Sequence, residues 1–133
     1  MAIEKKSGIE NIVILNIDAH CDTRIDDKHH SGTPFRNYDT NGELPYHLIQ
    51  LGIQDHSNSI STLSPIERGS EEKIFIEQLK TDGHQFSNPP SDLLKNCPFT
   101  VSSDKTAFVF SLDCDGIDGS EMSAVSCVNP HGL

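Results

Sequence analysis

The sequence predicts an α/β domain built on a parallel sheet, and three observations predict it. Ile12 to Leu15 and Ala107 to Phe110 are continuous apolar runs rich in β-branched and aromatic residues, the composition of strands covered on both faces. Both runs lead directly into acidic residues, Asp18-Ala19-His20-Cys21-Asp22 and Asp113-Cys114-Asp115. Open α/β sheets carry their ligands at such carboxyl ends of strands. Between the runs, Ser70 to Lys80 places Ile74, Phe75, Ile76 and Leu79 on a helical template.

Residues 1–10 are mixed polar and are expected to form a frayed lead-in. Ile12 to Ile17 reads as a fully buried strand. Residues 23–42 read as a loop, on the strength of two histidines, Ser31-Gly32-Thr33-Pro34 and Asn41-Gly42. Leu48 to Ile53 forms a second short strand with Gly52 near its end. Ser70 to Lys80 is expected to be helical, with acids in its first turn and Gly83 just beyond. Asn88-Pro89-Pro90 and Cys97-Pro98 make Gln85 to Asp104 a loop with one helical turn near Leu93. Thr106 to Leu112 is the third strand, and a glycine-rich stretch runs from there to Leu133. One α/β domain spans residues 1–133. A parallel sheet needs helices on both faces, so one convincing helix makes the domain incomplete.

The net charge of −10 excludes nucleic acid and anionic membrane surfaces as expected partners. The four cysteines, Cys21, Cys97, Cys114 and Cys127, show no C-x-x-C and no zinc spacing. Cys21 and Cys114 alternate with the acids and are expected to be buried free thiols, which suits a reducing cytoplasm. No signal peptide is visible, and no run approaches the roughly 20 apolar residues of a membrane helix.

In an extended chain, side chains alternate with period two, so Asp18, His20 and Asp22 share a face, as do Asp113 and Asp115. If the two strands are parallel neighbours, both sets emerge at one sheet edge, roughly 5 Å apart. Four carboxylates that close repel unless a cation neutralises them. Oxygen-dominated ligation favours manganese or magnesium, and the imidazole of His20 tips the choice to manganese. Two other readings of Asp113-Cys114-Asp115-Gly116 fail. A dehalogenase-type phosphatase loop usually opens its chain and continues with Thr or Val, whereas Ile117 follows here. An EF-hand would place Ile117, Asp118 and Ala124 at its fifth, sixth and twelfth positions.

These residues resemble a family. Asn16-Ile17-Asp18-Ala19-His20-Cys21-Asp22 looks like the D-A-H-x-D signature of the ureohydrolases: arginase, agmatinase and formimidoylglutamase. Ser111-Leu112-Asp113-Cys114-Asp115 is similar to their second signature, S-x-D-x-D, and His30-Ser31-Gly32-Thr33-Pro34-Phe35-Arg36 to the loop after the first. Leu51-Gly52-Ile53-Gln54, Ser57-Asn58-Ser59, Ser123-Ala124-Val125 and Asn129-Pro130-His131-Gly132-Leu133 resemble the formimidoylglutamase branch. The resemblance implies a partial arginase-like α/β/α fold and a binuclear manganese site activating a bridging water against an amidine or guanidine carbon. It implies that Asp18 and Asp113 bridge the metals, that His20, Asp22 and Asp115 complete their shells, and that His30 passes a proton to the leaving amine. The implied reaction is conversion of N-formimidoyl-L-glutamate to L-glutamate and formamide in histidine breakdown. Agmatine or a guanidino acid as substrate, and a non-catalytic metal-binding remnant, are the alternatives.

The departures are also informative. An upstream G-G-x-H segment, source of a sixth ligand, has no counterpart at Ser7-Gly8, and a downstream glutamate would lie past Leu133. Gly116-Ile117-Asp118-Gly119 lacks the usual D-P. The expectation is a central slice of a ureohydrolase, truncated at both ends. One metal position would be weak, and the chain would act as a homo-oligomer or beside a complementary ureohydrolase segment.

Overall fold

The computed structural model of the chain describes residues 8–81 and 89–133. Strands β1 (Asn11–Ile17), β2 (Tyr46–Ile53), β3 (Ser70–Phe75) and β4 (Thr106–Leu112) form one sheet in the order β3-β2-β1-β4, with every neighbouring pair parallel. Helices α1 (Pro34–Asn41), α2 (Ile60–Leu63), α3 (Ile76–Thr81) and α4 (Pro89–Leu93) fill the connections, and 3₁₀ turns Asp55–Ser57 and Cys114–Gly116 follow β2 and β4. The expected α/β class and the adjacency of the two acid-tipped strands are both present.

β1 lies in the interior of the sheet because its residues are apolar on both faces. Ile12 and Ile14 point to one side, into a core shared with Phe35, Tyr46, Leu48 and Ile66. The Tyr38 and Tyr46 rings meet edge-on there, with centroids 5.0 Å apart. On the other side Val13, Leu15, Ile49 and Phe108 line a groove with Leu93 and Leu94. Helical segments therefore meet both faces, which is the partial three-layer arrangement. On β4 burial alternates, and Phe108, Phe110 and Leu112 are exposed, Phe110 by 75%.

Two expected elements are corrected. The helix over Ser70 to Lys80 is strand β3 as far as Phe75, and only Ile76–Thr81 is helical. Pairing overrides the helical spacing: Ser70 to Ile74 run in register with His47 to Leu51, and Gln50 Nε2 donates to Glu71 Oε1 at 2.7 Å. Among the described residues the sheet accordingly has four strands rather than three. Gly83, the expected stop signal, lies outside the described residues, as do residues 1–7 of the lead-in and Gln85 of the following loop. The second correction is α1, inside the stretch 23–42 read as loop. Pro34 starts it, where a missing N–H costs nothing, and the Gly42 amide closes it on Tyr38 O at 2.7 Å. Its Asn, Asp and Thr residues resemble turn formers, but Phe35, Arg36 and Asp39 are buried against the core. The helical turn near Leu93 is present as α4.

Asp39 ties α1 to the start of β3. Its carboxylate accepts from the Tyr46 hydroxyl at 2.8 Å and from the Glu67, Arg68 and Gly69 amides at 2.7, 2.8 and 3.3 Å. Burial pushes the carboxyl up, and these donors more than offset it, holding the group below the usual carboxylate range. Replacing Asp39 by Ala strands four donors around a buried site, so Asp39→Ala should destabilise the chain by about 3 kcal/mol in urea unfolding. A loss under about 0.5 kcal/mol, the usual size for an indifferent surface change, overturns that account.

Candidate metal centre

The site grows from the last rungs of two ladders. The Asp18 amide donates to Leu51 O at 3.1 Å, and the Asp113 amide to Ile17 O at 2.9 Å, so both acids sit one residue beyond paired strand. Past these rungs neither segment is extended. The Asp18 carboxylate accepts the His20 amide at 2.7 Å, and the Asp113 carboxylate accepts the Asp115 amide at 3.2 Å. Each first aspartate thus turns the chain back over itself, as Asx turns do. Turns, rather than the expected continuation of the strands, bring the donors together. The two turns touch: a Cβ on Gly116 would lie 3.1 Å from the Asp18 Cα, so glycine permits their approach.

A clamp holds the first turn. Asn58 Oδ1 accepts the Cys21 amide at 2.9 Å, and its Nδ2 donates to Ala19 O and Gln54 O at 2.9 and 2.8 Å. Asp22 adopts φ +53°, a left-handed conformation that aspartate tolerates better than most residues. Strain of this kind persists only where its surroundings enforce it, and here the Phe35 amide donates to Asp22 O at 3.2 Å. The second turn is held by Asn129, whose Nδ2 donates to Asp115 O at 2.8 Å.

The structure gathers four of the predicted residues, His20, Asp22, Asp113 and Asp115, around one cavity of about 200 Å3. The fifth, buried Asp18, is not part of the lining, but donor atoms of Asp18, Asp113 and Asp115 all lie within 4.8 Å of one another. His20 Nδ1 is 3.0 Å from Asp115 Oδ2 and 3.5 Å from Asp18 Oδ1. A cation fits this donor set, because Asp115 Oδ1 is buried and has no hydrogen-bond partner among the described residues.

The sequence matches the family model of the arginase family over residues 2–133. The chain belongs to the arginase family. It is 29% identical over 133 residues to a formimidoylglutamase of Staphylococcus carnosus and 28% to one of Staphylococcus aureus. It spans about 40% of the length of each. The fold also matches a crystal structure of formimidoylglutamase from Bacillus subtilis, with a TM-score of 0.65 and 24% identity, over 92% of this chain and 37% of that one.

The sixth predicted residue of this arginase-family chain, His30, stands outside the cavity lining. Its Nδ1 accepts the Gly32 amide at 3.1 Å, which leaves the proton on Nε2, 3.3 Å from Asp26 Oδ2. Gly32 itself lines the cavity, so His30 sits at the rim. His29 faces a different groove, beside Phe35 and Tyr38. Sequence reasoning missed Arg24, Ser126 and Cys127, which also line the cavity. Arg24 was legible as the residue two places after Asp22; Cys127 was not, because the loop that brings it back has no periodicity. All four cysteines are free; Cys21 is fully buried as expected, whereas Cys114 is only half-buried. Burial pushes the Cys21 thiol up to about 12. Among the described residues no helix is long and apolar enough to cross a membrane.

The electrostatics carry the cost of this convergence. Burial, then the neighbouring Asp18, pushes Asp22 up to about 7. Burial likewise raises Asp115 to about 6, against the pull of His20. The hydrogen bond that the His20 ring donates to the Asp18 carboxylate raises His20, overcoming the effect of burial. All three groups hold protons more tightly in the folded state than in the unfolded one. Their stabilisation is therefore complete below the unfolded carboxylate value and lost as pH rises through about 6 and 7. Asp39 acts in the opposite sense, its contribution being lost in acid. Chelator-treated protein should consequently melt at a higher temperature at pH 5 than at pH 8. Thermal scans in which the melting temperature climbs between those values contradict the picture.

Proposed function

We propose that this chain is a metal-dependent hydrolase of linear amidines, taking N-formimidoyl-L-glutamate and water to L-glutamate and formamide in histidine breakdown. The observation that carries the proposal is the cluster of Asp18, Asp113 and Asp115 donors within 4.8 Å at the ends of two neighbouring parallel strands. The names of the formimidoylglutamase relatives support the substrate. Arg24 supports it independently, since a guanidinium on the cavity wall suits an anionic glutamate product and repels a cationic guanidine such as agmatine.

Asp18, Asp113 and Asp115 would hold one cation, with His20 and Asp22 completing a second position beside it. Manganese is the metal of choice for a donor set of carboxylates and one imidazole. When bound, two such ions supply Lewis-acid charge that acidifies water and stabilises negative charge on the reacting centre. Asp22 and Asp115 shed protons to take up that role, which makes binding pH-dependent. Arg24 orients a substrate carboxylate. His30, after rotating from Asp26 towards the cavity, passes a proton to the departing glutamate nitrogen. A reducing cytoplasm fits the free thiols, and the exposed Phe108, Phe110 and Leu112 face of β4 suits cover by a complementary ureohydrolase segment or a second copy.

Manganese at about 100 times its Kd should stabilise the chain by about 2.7 kcal/mol, raising Tm by roughly 10 °C. The shift should grow from pH 5 to pH 8 and disappear in Asp115→Asn. Formamide release by the manganese-loaded chain should be abolished in Asp18→Asn. Equal thermal shifts in the parent and Asp115→Asn would remove the metal reading; equal formamide rates in the parent and Asp18→Asn would remove the catalytic one.

A further inference from the structure

The loop after the second acidic turn folds back on the site it leaves. Asn129, buried, donates from Nδ2 to Asp115 O at 2.8 Å and accepts from the Ser57 hydroxyl at 3.1 Å. The Gly119 amide meets Asn129 O at 2.7 Å, and the Leu133 amide meets Gly116 O at 2.8 Å. These bonds place Cys127, two residues before Asn129, on the cavity wall beside His20 and Asp115. Donor atoms of His20, Asp115 and Cys127 lie within 4.8 Å of one another. Ligands on opposite sides of one ion, bonded at about 2.0 Å to nitrogen or oxygen and about 2.3 Å to sulfur, stand roughly 4–4.5 Å apart. One of these donors is also orphaned: Asp115 is 4% exposed, yet its Oδ1 has no hydrogen-bond partner among the described residues.

We propose that Cys127 is a metal ligand, its thiolate joining His20 and Asp115 in a mixed nitrogen, oxygen and sulfur cation site. The inference rests on the metal reading above and deepens it. As the sulfur–metal bond forms, the thiol proton leaves to solvent. The two positions then differ in character. The Asp18, Asp113 and Asp115 set is all oxygen and suits a hard ion such as manganese. A thiolate is soft, so the His20, Asp115 and Cys127 set favours zinc, cobalt(II) or iron(II).

Cobalt(II) is the probe, because thiolate coordination gives a near-ultraviolet charge-transfer band that oxygen and nitrogen ligands do not. Reduced chain titrated anaerobically with cobalt should develop that band. Cys97→Ser, which removes a thiol away from the site, should retain it. Cys127→Ser, whose folding circular dichroism verifies, should lose the band and weaken cobalt binding by at least the about tenfold that changes around metal ligands produce. Cobalt bound without the band in the parent chain overturns this inference alone, as does a band that survives in Cys127→Ser. A manganese-induced thermal shift in the same preparations then shows the metal reading intact. Neither cobalt nor manganese binding to the parent chain overturns both.

Discussion

Everything at this site depends on the parallel pairing of β1 with β4, which sets Asn16 opposite Ser111 and Ile17 opposite Leu112. That register carries Asp18 and Asp113 off adjacent strands at the same level, pinned by one last backbone bond each. Burial of these carboxylates, and after it their mutual repulsion, raises Asp22 and Asp115. The apolar body of the sheet holds them there. Ile12, Ile14 and Leu48 bury one face, and the backbone bonds of three strands leave Asp18 no freedom to retreat.

The turns that follow are a second layer of constraint. Each first aspartate has two jobs, presenting oxygen to the cluster and accepting the amide two residues ahead. Side-chain amides then do what regular structure cannot do in a loop. Asn58 satisfies three backbone groups around the first turn, and Asn129 links the second turn to Ser57 after β2. Donor positions are set by short-range bonds hung on a rigid sheet, the arrangement that keeps a site preorganised.

The legible parts of this chain were those whose signal is local. Ile12 to Ile17 and Thr106 to Leu112 announced themselves by apolar continuity, and the spacing of Asp18, His20 and Asp22 announced a shared role. The same local rules misread Ser70 to Phe75, where Glu71, Glu72 and Lys73 dilute the apolar pattern and only pairing with β2 makes a strand. They also misread Pro34 to Asn41, whose turn-forming residues are helical because Phe35 and Asp39 find partners far away in sequence. The residue spacing singled out Asp18, His20, Asp22, Asp113 and Asp115, which the structure brings together, but it did not single out Cys127 on the same cavity wall.

The sequence by itself determined that this is an α/β chain of the arginase family, with two acidic signatures at strand ends. Those properties reside in residue types at fixed short spacings, which chemistry constrains directly. The tertiary structure decided that the strands are neighbours, that Asx turns rather than extended chain aim the donors, and that Arg24 and Cys127 join them on the cavity wall. Contacts such as Asn129 with Asp115 close loops between distant positions. Nothing in local spacing encodes which loop closes, because that depends on the packing and hydrogen-bond free energy of the whole fold.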